Sequence, residues 1–222
     1  MNQENYQERR SSAFAPRELL QIAVAWVVLS VAISLSYIEG LFQGSDDITY
    51  VAAAFIATAT AFIFHEMGHK FVAQRLGCVA YFRIWIWGLA LALFTAIITQ
   101  GNFLFGAPGA VYIAPAAGAG YSLLERHVRD EKIDNMRISA AGPGTNLAFA
   151  IFFFLLLLVS PNNGFISTVA AFGLSLNVGL GSFNMLPIPP MDGYKIFKGS
   201  IPVALAIAIP LWIMFLLFFL GV

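Results

Sequence analysis

His65 and His69 are four residues apart in Phe64-His65-Glu66-Met67-Gly68-His69-Lys70. On a helix, side chains at that spacing project from one face, about 40° apart at 3.6 residues per turn. Two imidazoles so placed can hold one tetrahedral Zn²⁺ and leave positions for a third ligand and a water. Glu66, beside His65, brings a carboxylate that can take a proton from that water. The triplet uses two of the chain's three histidines and follows a charge-free run from Ile48 to Phe64. Ionisable groups at the end of such a run are costly in a membrane unless something holds them, which favours a metal site over a chance cluster.

A catalytic zinc needs a third protein ligand. Between Arg137 and Lys195 the one charged side chain is Asp192, near the end of Asn184-Met185-Leu186-Pro187-Ile188-Pro189-Pro190-Met191-Asp192-Gly193. The three prolines stop a helix, because proline lacks the amide donor and clashes with the preceding turn. They leave an extended segment that can point Asp192 back at the metal, and Gly193 permits a sharp turn. The alternative is an interfacial Asp capping the last helix. His127 sits in a charged loop and reads as a solvated residue. Cys78, nine residues past His69, reads as a small packed hydrophobe.

These residues need elements to hold them. The 222-residue chain is 59% hydrophobic and 11% charged, with mean hydropathy +0.78. A soluble domain would be nearer a quarter charged, and several stretches exceed the ~20 apolar residues that span a hydrocarbon core. The expected fold is an all-α polytopic membrane protein of about six transmembrane helices, one domain over 19–222 behind a polar tail at 1–18. A formal net charge of zero gives no electrostatic case for nucleic acid. One cysteine excludes an intrachain disulfide. Arg9, Arg10 and Arg17 precede the first apolar run, which lacks a small-residue cleavage site and reads as a retained helix.

The expected spans are Leu19–Tyr37, Ile48 to about Leu76, Ile138–Ser160, Phe165–Leu186 and Ile201–Leu220, and Ile84–Thr99 reads as a further helix. Gly101–Tyr121, rich in Gly, Pro and Ala, reads as a re-entrant loop or a short β-hairpin. Leu123–Arg137 reads as a charge-dense loop. Lys and Arg concentrate in the tail, at Lys70–Arg83, in 123–137 and in 193–198, whereas 39–47 and 161–164 carry none. The positive-inside rule then predicts a cytoplasmic N-terminus and a metal motif nearer the cytoplasmic face. That requires residues 84–122 to cross the membrane twice or not at all.

His65-Glu66-x-Gly68-His69 on one apolar helix and Asn184-x-x-Pro187-x-x-x-x-Asp192-Gly193 closing a later one together resemble the site-2 protease family of intramembrane zinc metalloproteases. The resemblance covers about residues 48–198. It implies that His65, His69 and Asp192 bind one Zn²⁺, that Glu66 is the catalytic base, and that Asn184 positions substrate or steadies the oxyanion. Gly142-Pro143-x-x-Asn146 is also similar to the family's intermediate helix, where Asn146 either hydrogen-bonds beside the site or joins two helices. The sequence departs from the family at Tyr194, where a second glycine often follows Asp-Gly, and in the long apolar 84–122 insert.

The function implied is hydrolysis of peptide bonds within or near transmembrane segments of membrane-protein substrates, with the bilayer as the other partner. A metal-binding transporter would also use intramembrane His and carboxylates. The inverted repeat typical of such folds is missing from this sequence. A catalytically silent scaffold is the third reading.

Overall fold

A computed structural model describes residues 15–43, 47–101, 104, 106–115, 128–160 and 164–220. Helix α1, Pro16–Ile33, opens with proline in its first turn, where the missing amide donor would have had no intrahelical partner. It ends at Ser34, whose hydroxyl bonds back to Ser30 O at 2.7 Å, and the short α2, Leu35–Phe42, follows. The expected first span is therefore two helices. Next come α3, Ile48–Thr58, a π-helical turn, Ala59–Ile63, and α4, Phe64–Arg75, as one 28-residue run.

After α4 the chain forms strand β1, Cys78–Ile84, then α5, Ile86–Thr99, and strand β2, Gly109–Pro115. Helices α6, Val128–Val159, α7, Gly164–Asn184, α8, Asp192–Gly199, and α9, Ile201–Leu220, complete the described chain. Residues 128–137, expected as loop, are the first turns of α6. Their Glu, Lys, Met and Arg are strong helix formers, and Arg137 pairs with Asp134 one turn back at 3.7 Å. His127 and most of the expected tail lie outside the described residues.

Among the described residues, five helices are long and apolar enough to cross a bilayer: Pro16–Ile33, Ile48–Arg75, Glu131–Val159, Gly164–Asn184 and Ile201–Phe218. The chain is a multi-pass membrane protein. The further expected helix, α5, has 14 residues. At 1.5 Å per residue it is about 21 Å long, short of the ~30 Å core.

The strands correct the expected hairpin. β2 pairs antiparallel not with a neighbour inside 101–121 but with β1, on the far side of α5, from Cys78↔Pro115 to Ile84↔Gly109. Both ends of the excursion thus sit at one end of the molecule. Between them, α5 runs beside α1 to Gly101, a left-handed residue (φ 82°) where a Cβ would lie 2.9 Å from Ile33 O. The return chain presses against α5, and a Cβ on Gly106 would lie 2.4 Å from Gly88 O. The described residues of 84–109 thus leave from and return to the same end of the molecule.

Polar side chains of α1 close the outer edge of β1. Glu18 Oε1 accepts Phe82 N–H at 2.8 Å, and Gln21 Oε1 accepts Ile84 N–H at 2.9 Å. The other oxygen of Glu18 pairs with Lys70 Nζ of α4, and both side chains are buried. In an antiparallel ladder, outward amides at Phe82 and Ile84 require their partners Val111 and Gly109 to face outward on the opposite edge. That edge of β2 meets α4.

Candidate metal centre

Helix α4 carries His65, Glu66 and His69, all buried. Asp192 is delivered by the turn after α7. Gly193 makes that return possible, because a Cβ there would lie 2.3 Å from Met185 O. The carboxylate meets both imidazoles at the first residue of α8: Oδ2 is 3.4 Å from His65 Nε2 and 3.1 Å from His69 Nε2. The two Nε2 atoms are 3.1 Å apart.

The opposite ring nitrogens decide what this triangle is for. His69 Nδ1 lies 2.7 Å from Ile138 O, a carbonyl that can only accept, so Nδ1 carries the proton. His65 Nδ1 lies 2.6 Å from Asn146 Oδ1. The orientation of that amide is set by its Nδ2, which donates to Ala61 O at 2.9 Å, so His65 Nδ1 also carries the proton. Both Nε2 atoms therefore present lone pairs, and they converge on a carboxylate with no hydrogen to share. A cation at their centre satisfies all three donors. Tetrahedral zinc with bonds of about 2.0–2.1 Å would space its donors about 3.3–3.4 Å apart, close to the observed triangle.

A Methanocaldococcus jannaschii protein named "Putative zinc metalloprotease MJ0611" is 33% identical over 198 residues, 89% of this chain and 92% of that protein. The chain belongs to this zinc metalloprotease family. A Bacillus subtilis protein named "Putative zinc metalloprotease YwhC" is 27% identical over 161 residues, 66% of this chain and 68% of its own. No family model and no solved structure matches. The metal of this metalloprotease is zinc, and the donor chemistry of His65, His69 and Asp192 fits it.

Glu66 stands beside the ligands, within electrostatic reach of His65 and Asp192, and its carboxylate accepts the Val111 backbone amide of β2. Asn146, fully buried on α6, bonds directly to a ligand and so joins the site itself. Asn184 is half-buried at the end of α7, with one Nδ2 hydrogen on Leu180 O at 3.1 Å and the other free to donate. Cys78 packs beside the Ala73, Ala80 and Ile138 cluster, as a small hydrophobe would.

Sequence reasoning missed three contributors. Ile138 and Val111 act through backbone groups, which no residue letter reveals. Gly142 did stand in a quoted motif, and its role is spatial: a Cβ there would lie 2.3 Å from His69 Nε2 and 2.7 Å from His65 Cε1. On the facing helix, a Cβ on Gly68 would lie 2.9 Å from Ala141 O. These two glycines let α6 close over the imidazoles.

Proposed function

We propose that this metalloprotease is an intramembrane protease of the site-2 type, cutting peptide bonds within or near transmembrane segments of other membrane proteins. One observation carries the reading: the ligands His65 and His69 and the carboxylate of Glu66 lie on a 28-residue helix apolar enough to cross a bilayer.

Zinc, when bound, supplies Lewis acidity that polarises a scissile carbonyl and lowers the pKa of water towards ~7. Glu66 takes the proton of the attacking water and returns it to the leaving amine nitrogen, so the reaction ends with a carboxylic acid, an amine and an unchanged base. His65 and His69 are held as neutral donors by Asn146 and Ile138. Asn184, with its second amide hydrogen, donates to the developing oxyanion.

A scissile bond in a helix is buried in its own hydrogen bonds, so the substrate must unwind. Beyond the Val111 amide that Glu66 takes, Gly109 on the outward edge of β2 offers such a chain a backbone partner, the mode of strand addition. An apolar cavity of about 570 Å³ adjoins the π turn that leads into the site, lined by Leu29, Ala61, Phe62, Val178 and Phe215 among others. It suits large apolar side chains of a transmembrane substrate. The clustering of Arg75, Arg83, Arg137 and Lys198 at the metal end favours a cytoplasmic placement of that end.

The test is cleavage of a transmembrane reporter in liposomes with zinc content measured in parallel. Wild type should cut the reporter, and Glu66→Gln should lose at least ~10³-fold in rate while keeping its zinc. A wild type that holds zinc and cuts water-soluble peptides but no membrane reporter would overturn the intramembrane reading.

A further inference from the structure

Behind Asn146, a second amide lies one helix further from the metal. Asn177 of α7 is fully buried and contacts none of the metal ligands directly. Its Nδ2 donates to Gly173 O at 2.8 Å and to Thr60 Oγ1 at 3.1 Å. Its Oδ1 accepts Asn146 Nδ2 at 3.1 Å. Thr60 in turn donates to Ala57 O at 2.8 Å.

Each link of this chain has a direction. Gly173 O is a carbonyl and can only accept, so it fixes which end of the Asn177 amide is nitrogen. That turns Asn177 Oδ1 towards Asn146, and Asn146 must answer with its own nitrogen. Asn146 Oδ1 then faces His65, whose Nδ1 must hold the proton, and Nε2 is left with its lone pair in the triangle. In a hydrocarbon surrounding, reversing either amide would set donor against donor and acceptor against acceptor, with no water to relieve them.

We propose that Asn177 is a positioning residue of the zinc site: together with Ala61 O it holds the Asn146 amide, and through that amide it fixes the ring orientation of His65. The inference concerns metal binding alone, so it stands or falls independently of the substrate. Partners one step behind a ligand typically change metal affinity 10–100-fold when removed, and Asn177, two steps behind, is expected at the lower end, about tenfold.

The experiment measures the zinc Kd by chelator competition and the visible spectrum of the cobalt-loaded protein, for purified Asn177→Leu and Asn177→Ser. Serine can still bond Gly173 O on its own helix but falls short of Asn146, so it serves if the leucine variant does not fold. Both should bind zinc about tenfold more weakly and show a shifted cobalt spectrum, reporting altered His65 ligation. Leu174→Ala, which opens a void on the same helix in the core cluster with Ala53 and Phe153, should leave both readouts at wild type. Unchanged Kd and spectrum in either Asn177 variant would overturn the proposal. So would equal changes in Leu174→Ala, since loosened packing alone would then account for them.

Discussion

At the scale of single residues, the metal site rests on pinned imidazoles. Both rings are held at Nδ1 and cannot swing away from an intruder, so Gly142→Ala should cut zinc affinity at least ~10-fold. Gly144→Ala, two residues on where a Cβ meets nothing within 4 Å, is the matched control and should bind zinc as wild type does. Metal analysis after dialysis against graded chelator distinguishes them. His65, Glu66, His69 and Asp192 were legible because their chemistry is written in their side chains. Asn146 was legible as a polar residue in an apolar helix, with two readings, and both are seen: it meets His65 at 2.6 Å and joins α6 to Asn177 of α7 at 3.1 Å. Ile138 and Val111 were not legible, since a backbone group is placed by the fold and not by its letter.

At the scale of elements, α1 fastens the sheet that delivers Val111 to Glu66. Glu18 and Gln21, one helical turn apart, stand in for a third strand, and Lys70 neutralises Glu18 in a buried place. Removing one partner of such a pair leaves a lone buried charge. Lys70→Met should therefore destabilise the protein by about 3 kcal/mol or more, read as a lowered unfolding midpoint in detergent. Adding Glu18→Gln should restore much of it, because Gln keeps the acceptor for Phe82 without the charge. Two equally damaging single changes that simply add would count against a charge-based account. The charge-poor stretch after Arg83 was legible as an insert, but its pairing with Cys78–Ile84 bridges from 25 positions, at Ile84↔Gly109, to 37, at Cys78↔Pro115. Long-range register of that kind has no local signal.

At the scale of the whole molecule, the paired strands bring both ends of the excursion back to the Arg83 end, which the positive-inside pattern of the described Lys and Arg needs if they are to share one side of a bilayer. In a Cys78→Ser background, Arg83→Cys places an exposed thiol at that end. A membrane-impermeant maleimide should label it in inverted vesicles and not in intact cells; the reverse pattern would put the metal end outside. The spans themselves were legible from hydropathy. Their breaks were not, because Ser34 and the π turn interrupt runs that are apolar throughout. α5 was legible only as a further helix for the same reason: composition reports that a helix is apolar, and only its 14-residue length shows that it turns back.

The π turn has a consequence for how the long helix winds. Two columns of buried residues run down it with a strict period of four: Ala53, Ala57, Ala61, His65, His69 and Ala73, and beside them Ala54, Thr58, Phe62, Glu66 and Lys70. In an undisturbed α-helix each step of four drifts about 40°, so a column of six would wander by about 200°. One wide turn takes up an extra residue and removes about 100° of that drift. The alanines that admit α7 and the imidazoles that meet α6 are thereby kept along one seam. A helical wheel drawn at constant pitch through 48–75 would pull that seam apart and set the ligands on a different side from the alanines.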